Sequence, residues 1–201
     1  MLDSASAMVD ATDSLRDSVR RIVERPRVTI ERGDLTPAAV LVPIVFRDGE
    51  ARLIFTKRTM TVAKHKGQIS FPGGMTEPED DGPAATALRE AHEEIGLEPS
   101  LVEVIGALDD QITVTGFVVT PVIGFVDTEA GFSPDPVEVD ELFEVPIDVL
   151  SDPARGDVGT VDWRGESVET QRYFTDGGRV IWGATARIIA RFLAALEEVS
   201  A

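Results

Sequence analysis

Three glutamates lie within five positions of the segment REAHEEIGL, at Glu90, Glu93 and Glu94. The spacing predicts a helix, on which residues four apart are neighbours, so the carboxylates of Glu90 and Glu94 lie close together. Carboxylates at that separation repel one another unless a positive group lies among them. Their hard oxygens suit Mg²⁺ or Mn²⁺ better than softer metals. The pattern therefore indicates metal-dependent chemistry on a phosphate-rich substrate.

The alternative is a solvated, charged helix face that binds no metal. A surface helix would ordinarily intersperse lysine among its glutamates, and the sequence has no lysine after Lys66. Glutamates near a helix C-terminus also oppose the helix dipole, by about 0.3–1 kcal/mol each when exposed. Such local conflicts often mark functional sites. Taken alone, the helix leaves both interpretations open.

The helix is predicted from about Pro83 to Ile95, with Gly96 as its stop. On a helical period its apolar stripe is the face to bury, and the three glutamates lie on the other side. Arg89 precedes the glutamates and can orient or partly neutralise one of them. The stripe consists of Ala84, Leu88, Ala91 and Ile95.

The elements that must position this helix follow from hydrophobic period and turn residues. Further helices are predicted over 11–25 and about 184–198, and strands over 38–46, 51–58, 101–110, 113–126 and a hairpin around 176–178. Residues 129–146 are predicted as a proline-rich loop that runs into a short helix or irregular structure. Because strands and helices interleave, we expect an α/β (α+β) fold with a mixed β-sheet packed between helices. We expect residues 1–35 to be an N-terminal helix and lead-in that packs on a single domain of residues 36–201.

The composition is that of an ordinary globular protein, with 201 residues, 43% hydrophobic and 27% charged. The net charge of −17 disfavours non-specific binding to nucleic acid or anionic lipid. The chain has no cysteine, which excludes disulfides and thiolate metal sites and fits a reducing compartment. We find no signal peptide and no apolar run long enough to span a membrane. These features predict a cytoplasmic protein with no membrane or nucleic-acid partner.

All three lysines of the chain lie within ten residues, at Lys57, Lys64 and Lys66, with Arg58 and His65 among them. One interpretation of this basic island is a solvated loop. In so acidic a protein, the other interpretation is a site that attracts phosphate.

Residues 73–97 resemble the Nudix box, G-x5-E-x7-R-E-U-x-E-E-x-G-U, where U is an aliphatic residue. The first half departs from that pattern. Five residues after Gly74 the chain has Asp80 instead of glutamate, and eight residues instead of seven separate it from Arg89. Counting back from the arginine selects Asp81 instead, so the roles of the two aspartates stay open. The second half matches at Arg89, Glu90, Ala91, Glu93, Glu94, Gly96 and Leu97.

With this departure the chain resembles one Nudix branch, the coenzyme A pyrophosphatases. Members of that branch typically carry FPGG, an acidic loop that is one residue longer, and TALRE-x-x-EE-x-G. The chain also resembles the upstream signature of that branch, in LIFTKRTMTVAKHKGQISFPGG. The likeness covers about residues 37–190 and is therefore specific. The upstream matches are Leu53, Thr56, Arg58, Gly67, Gln68, Phe71, Pro72, Gly73 and Gly74.

This resemblance implies a Nudix-like mixed β-sheet between helices and the hydrolysis of a small-molecule diphosphate. For this branch the substrate would be coenzyme A, and the products would be 3′,5′-ADP and 4′-phosphopantetheine. Two alternatives stay open: a Nudix hydrolase of another substrate, such as ADP-ribose, NADH or a nucleoside triphosphate, and a non-catalytic nucleotide-binding module. A homodimer is compatible with the resemblance.

The resemblance also implies the roles of individual residues. Glu90 and Glu94 would be the main ligands of Mg²⁺ or Mn²⁺, and the carbonyl of Gly74 would be an extra ligand. Glu93 would be a further ligand or the base that acts on the attacking water. A later loop would supply a second carboxylate, for which we favour Glu138 among the candidates Glu138, Asp140 and Glu141.

The 3′-phosphate of coenzyme A requires local positive charge in a protein of net charge −17. We expect Arg58, Lys64 and Lys66 to supply it. The same region is expected to be lined by Gln68, Ser70 and Phe71.

Overall fold

The computed structural model describes residues 2–60, 67–163 and 165–200. These residues form four α-helices and eleven strands. The helices are α1 (Leu2–Glu24), α2 (Gly82–Ile95), α3 (Ile147–Ser151) and α4 (Gly183–Ser200). The strands are β1 (Thr36–Arg47), β2 (Glu50–Arg58), β3 (Ile69–Ser70), β4 (Gly73–Met75), β5 (Val102–Ala107), β6 (Gln111–Ile112), β7 (Phe117–Val126), β8 (Val139–Pro146), β9 (Gly156–Trp163), β10 (Glu166–Thr175) and β11 (Arg179–Trp182). Within the described ranges, each helix lacks either the length or the apolar character needed to cross a lipid bilayer.

Strand β1 is the centre of a mixed sheet that contains β1 to β8. It pairs with β7 in parallel and with β2 and β4 in antiparallel orientation. Strands β5 and β6 pair with β7 on one side, and β3 and β8 pair with β2 on the other. Strands β9 to β11 form a separate antiparallel sheet.

The sheet lies between helices, as the sequence predicted. Side chains that alternate along β1 enter two different cores, with Leu41 on one face and Val42 on the other. The first face packs against α2 through Ala87, Ala91 and Ile95. The opposite face packs against α1 and α4, where the core includes Val19, Ile22, Ile188, Ile189 and Phe192. The mixed α+β fold with a sheet between helices is therefore confirmed.

Strands β1 and β2 pair near their shared turn and then separate. Their pairing runs from Arg47 and Glu50 to Ile44 and Leu53. Further along, residues 69–75 enter the gap, first pairing with β2 through β3 and then with β1 through β4. This crossing segment carries the FPGG motif into the middle of the sheet.

Several predicted elements are confirmed. The β1–β2 hairpin turns at Asp48 and Gly49, whose φ angles of 53° and 80° fit a two-residue turn in which both central residues have positive φ. The hairpin of β10 and β11 also forms around residues 176–178. Helix α1 begins at Leu2, nine residues before the predicted start of 11–25.

The prediction for residues 129–146 was wrong at its C-terminal end, because residues 139–146 form strand β8 along β2. A bulge explains the error. Lys57 of β2 pairs with Glu141, but Arg58 pairs with Val139, so Asp140 is an extra residue. Val139 and Leu142 consequently share a face at a spacing of three residues, which disguises the alternation of a strand. Strand β9 was not predicted.

Candidate active site

Helix α2 ends where the sequence predicted and presents its glutamates to three different environments. Gly96 caps the helix in the left-handed conformation at φ 65°. Glu93 is exposed over 57% of its side chain and Glu90 over 17%, but Glu94 is only 4% exposed. The expectation that all three face away from the buried side was therefore wrong for Glu94. The predicted stripe is also shifted, because Ala87 is buried and Leu88 is half-buried.

Two glycines of the crossing segment explain how a glutamate fits between α2 and the sheet. The N–H of Gly73 donates to Oε2 of Glu94 at 3.3 Å. A Cβ added to Gly74 would lie 2.5 Å from the carboxyl carbon and from both oxygens of Glu90. Only a residue without a side chain leaves room for the carboxylate at that position. The FPGG motif and the glutamates of the helix are therefore one structural unit.

Arg89 joins the acidic loop to the helix carboxylates. Its Nε and Nη2 donate to the two oxygens of Asp80, each at 3.0 Å, and Nη2 also donates to the Met75 carbonyl at 2.9 Å. Its Nη1 donates to Glu90 at 2.9 Å and to Glu93 at 3.1 Å. These hydrogen bonds from Arg89 hold the pKa of Asp80 well below its usual range. Arg89 therefore contacts the acidic loop and two carboxylates of the helix at once.

The same contacts distinguish the two aspartates that the sequence left open. Asp80 is 6% exposed and also accepts hydrogen bonds from the Glu77 N–H and the Thr86 hydroxyl, both at 2.9 Å. Asp81 is exposed and makes no side-chain cap to α2. Asp80 is therefore the residue that anchors the arginine.

Arg58, at the end of β2, lies between a helix carboxylate and a loop carboxylate. Its Nη1 donates to Oε1 of Glu94 at 2.9 Å, and its Nη2 donates to Oε2 of Glu138 at 3.1 Å. The structure thus brings Glu138 to the helix glutamates, whereas Asp140 pairs with Lys57 and Glu141 with Arg179. Of the three candidate loop carboxylates, Glu138 is the one joined to this cluster.

The loop that carries Glu138 is tied to the end of α2. The N–H of Ser133 donates to the Ile95 carbonyl at 2.8 Å, and that of Asp135 donates to the Glu94 carbonyl at 2.9 Å. Asp135 in turn accepts the N–H of Val137 through its side chain at 2.8 Å. The sequence analysis did not identify this role of Asp135, although the run Ser-Pro-Asp-Pro at 133–136 is a turn signal that could have indicated it.

Burial and mutual repulsion of the carboxylates in this cluster disfavour their charged forms, and a bound cation would reduce that penalty. Burial raises the pKa of Glu94 to about 7, although Arg58 opposes the shift. Burial likewise raises the pKa of Glu90, and the nearby charges of Glu93 and Glu138 add to it. Buried oxygens held in a carboxylate-rich cluster match the ligand chemistry of Mg²⁺ and Mn²⁺.

Within the described ranges, no three acidic or histidine side chains already converge on one point as a finished metal cage. The positive groups among the carboxylates are the guanidinium groups of Arg58 and Arg89. The donor set nevertheless fits a hard divalent cation, because Glu90, Glu94 and Glu138 are all oxygen donors and the first two are largely buried.

The expected substrate residues are divided between the two faces of the sheet. The Ser70 hydroxyl lies 3.3 Å from the Thr56 hydroxyl, and the Gln68 carbonyl accepts the N–H of Arg58 at 2.9 Å. The expected substrate contact of Phe71 is not met, because its ring is 2% exposed and stacks on Phe55 in the core that faces α1 and α4. Phe71 therefore packs the crossing segment onto the sheet.

The basic island is also divided. Lys57 lies on the same face of β2 as Phe55, and Arg58 lies on the opposite face. Lys57 lines a separate polar cavity of about 370 Å³ together with Glu141 and Arg179. Both cations there are paired, Lys57 with Asp140 at 3.0 Å and Arg179 with Glu141. The predicted substrate residues Lys64 and Lys66 lie outside the described residues.

A scan against protein-family models matches residues 35–163 to the NUDIX domain. The chain belongs to the Nudix family. The matched range contains the crossing segment, α2 and the Glu138 loop, which together hold the cluster of acidic and basic side chains. As a Nudix hydrolase the protein acts on pyrophosphate bonds, and enzymes of this family generally need divalent metal ions.

Curated relatives agree with the family. The chain is 38% identical over 170 residues to an uncharacterized Nudix hydrolase, NudL, of Escherichia coli O7:K1, which covers 82% of this chain and 85% of that protein. It is 35% identical over 195 residues to Nudix hydrolase 22, chloroplastic, of Arabidopsis thaliana, covering 94% of this chain and 65% of that protein.

Solved structures show the same fold. A Nudix hydrolase from M. smegmatis, RenU, aligns with a TM-score of 0.50 at 24% identity over 58% of this chain and 74% of that chain. A MutT/nudix family protein from Enterococcus faecalis aligns with a TM-score of 0.51 at 13% identity over 84% of this chain and 64% of that chain. At these identities the likeness concerns the fold.

Proposed function

We propose that this Nudix hydrolase is a metal-dependent coenzyme A diphosphatase that produces 3′,5′-ADP and 4′-phosphopantetheine. The observation that carries the proposal is the position of the crossing segment. This segment bears FPGG, the end of the signature that resembles the coenzyme A branch, and through Gly73 and Gly74 it contacts the two largely buried glutamates of α2. Residues that resemble a substrate signature and residues suited to bind metal therefore meet in one place.

In the proposed reaction, water attacks one phosphorus of the diphosphate and the bridging P–O bond breaks, which leaves a monophosphate on each product. Glu90, Glu94 and the Gly74 carbonyl would hold Mg²⁺ or Mn²⁺. The ion supplies charge neutralisation of the phosphate oxygens and a lower pKa for a bound water. Glu93 would be a further ligand or take the proton of the attacking water, and Glu138 is a second candidate for either role. Arg89 would keep Glu90 and Glu93 in orientation.

The charge distribution supports a small anionic substrate bound locally. The chain carries −17 overall, so a coenzyme A molecule with its extra 3′-phosphate needs the few cations near the site. Lys64 and Lys66 are proposed to bind that phosphate, and Gln68 and Ser70 are proposed to line the same site. The absence of cysteine agrees with a cytoplasmic enzyme.

The substrate is tested with purified protein and a panel of coenzyme A, dephospho-coenzyme A, ADP-ribose and NADH, each with Mg²⁺ or Mn²⁺, with products separated by chromatography. We expect 3′,5′-ADP from coenzyme A. A Lys64→Ala/Lys66→Ala variant should raise KM for coenzyme A more than for its dephospho form. Turnover of ADP-ribose without release of 3′,5′-ADP from coenzyme A would reject the substrate but keep the reaction class.

The site is tested with two variants and a matched control. Loss of a residue that only supports a metal ligand lowers metal affinity or activity about 10–100-fold. Glu94 is itself a proposed ligand, so Glu94→Gln should lower kcat by at least about 100-fold while the circular dichroism spectrum stays native. Gly74→Ala places a methyl group against Glu90 and should also lower kcat. Gly131→Ala is the control, because an added Cβ there meets nothing within 4 Å. Equal activity of the two alanine variants would contradict the assigned geometry.

A further inference from the structure

The contacts of Arg58 differ from those of a residue that binds substrate phosphate. Both terminal nitrogens of its guanidinium donate to carboxylates, Nη1 to Glu94 at 2.9 Å and Nη2 to Glu138 at 3.1 Å. Its side chain is 24% exposed. Arg58 thus joins two acidic residues that are 44 positions apart in the sequence and lie on different elements.

The backbone around Arg58 is fixed independently of its side chain. Its N–H donates to the Gln68 carbonyl at 2.9 Å, and its carbonyl accepts the N–H of Gly67 at 3.1 Å. The next residue, Thr59, donates its N–H to the Glu138 carbonyl at 2.9 Å and its hydroxyl to the Val137 carbonyl at 2.8 Å. The end of β2 therefore offers a rigid base from which the guanidinium reaches both carboxylates.

The side chains of Glu94 and Glu138 are restrained to different degrees by the rest of the fold. Glu94 is 4% exposed and is held by α2 and by the Gly73 N–H. Glu138 is 45% exposed on a loop, where a long side chain keeps much of its rotamer freedom. An ion pair that also donates to a buried partner restricts that freedom, and a planar guanidinium can serve two carboxylates at once.

We propose that Arg58 is a positioning residue, which holds the loop carboxylate Glu138 beside the helix carboxylate Glu94 so that the two act as one ligand set. The inference rests on the proposed function, since it concerns the same carboxylates. Arg58 acts through Glu94 and Glu138 and does not touch the substrate. This replaces the phosphate contact expected for Arg58 from the sequence.

The test compares Arg58→Met with Lys57→Met, which removes the same charge. Lys57 is the adjacent residue on the opposite face of β2, where it pairs with Asp140. Mn²⁺ binding is measured by titration calorimetry without substrate. Removal of one positive charge would by itself strengthen the binding of a dication, whereas loss of positioning weakens it. We expect Arg58→Met to bind Mn²⁺ about 10-fold more weakly and Lys57→Met to bind as the wild type does. Equal or tighter binding by Arg58→Met would overturn the proposal.

Kinetics separate positioning from substrate contact. With the best substrate of the panel, Arg58→Met should lower kcat about 10–100-fold and leave KM within about twofold. Arg58→Lys should recover part of kcat, because an ammonium retains the charge but not the planar fork. A raised KM with unchanged kcat would instead make Arg58 a substrate contact. The Mn²⁺ titration needs no substrate, so it decides the role of Arg58 even if coenzyme A is not hydrolysed.

A double-mutant cycle identifies the partner through which Arg58 acts. If Arg58 works by holding Glu138, the Arg58→Met/Glu138→Gln variant should be no slower than the slower single variant. If the two residues act independently, their losses in kcat should multiply, and the proposal fails. Should Arg58→Met not fold, Arg58→Lys in the same cycle gives the same comparison.

Discussion

The burial of Glu94 makes the stability of the metal-free protein depend on pH in an unusual direction. Its pKa of about 7 lies well above the ordinary value of 4.5, because burial disfavours the charged form. The folded protein therefore keeps this carboxyl protonated to a higher pH than the unfolded chain does. The resulting stabilisation is complete below pH 4.5 and is lost as the pH rises through about 7.

The magnitude follows from the two pKa values. A difference of one in pKa corresponds to about 1.4 kcal/mol, so about 7 against 4.5 gives about 3 kcal/mol. Burial also raises the pKa of Glu90, which acts in the same direction. The pKa of Asp80 is lowered, so its contribution to stability is lost only at more acid pH, below the range from pH 4.5 to 7. The expected loss between pH 4.5 and 7 is thus a large part of the stability of an ordinary domain.

The assay is urea unfolding in the presence of a chelator at intervals from pH 4.5 to 8, for the wild type and for Glu94→Gln. Glutamine is neutral throughout, so the difference in the free energy of unfolding between the two proteins isolates Glu94. We expect the wild type to lose about 3 kcal/mol relative to the variant as the pH rises from 4.5 to 7. Parallel curves for the two proteins, or a wild type that gains stability relative to the variant, would refute the reasoning.

Two more variants test how the site is built. Asp80→Asn replaces one of the two oxygens that accept 3.0 Å hydrogen bonds from Arg89 by an amide nitrogen, which cannot accept, so kcat should fall about 10–100-fold. The exposed Asp81→Asn should change kcat by less than about twofold, and equal losses in a kinetic assay would contradict this assignment. Phe71→Ala deletes a ring that stacks on Phe55 at 4.8 Å between ring centroids, so urea unfolding should show a loss of about 3–5 kcal/mol with KM unchanged. A raised KM without destabilisation would return Phe71 to the substrate site.

The sequence predicted the layered fold because its strongest signals are local. Helix α2 has a proline in its first turn, a C-terminal glycine and a helical period, and the Asp48-Gly49 turn fixes the first hairpin. Strand β8 escaped prediction because its bulge depends on pairing with β2, and pairing between distant segments leaves no local signal.

The candidate site was predicted in composition but not in arrangement. The box identified Glu90, Glu93 and Glu94 as a group. A helical wheel could not show that Glu94 is buried, because that depends on two glycines of another segment that pass beneath the helix. Likewise, the charge of Arg58 suggested a phosphate, and its two carboxylate partners became visible when the tertiary fold brought β2, α2 and the Glu138 loop together.

Two backbone hydrogen bonds join Arg58 to residues 67–68, between the predicted substrate residues Lys64 and Lys66 and the hydrolytic residues of the site. The chain is fixed by hydrogen bonds at Arg58, before residues 61–66, and again at Gly67 and Gln68, after them. The register of Gly73 and Gly74 is set by their pairing with β1, which lies outside residues 61–66. We expect an exchange of residues 61–66, which include Lys64 and Lys66, between relatives to change which diphosphate is accepted and to leave the hydrolytic residues in place.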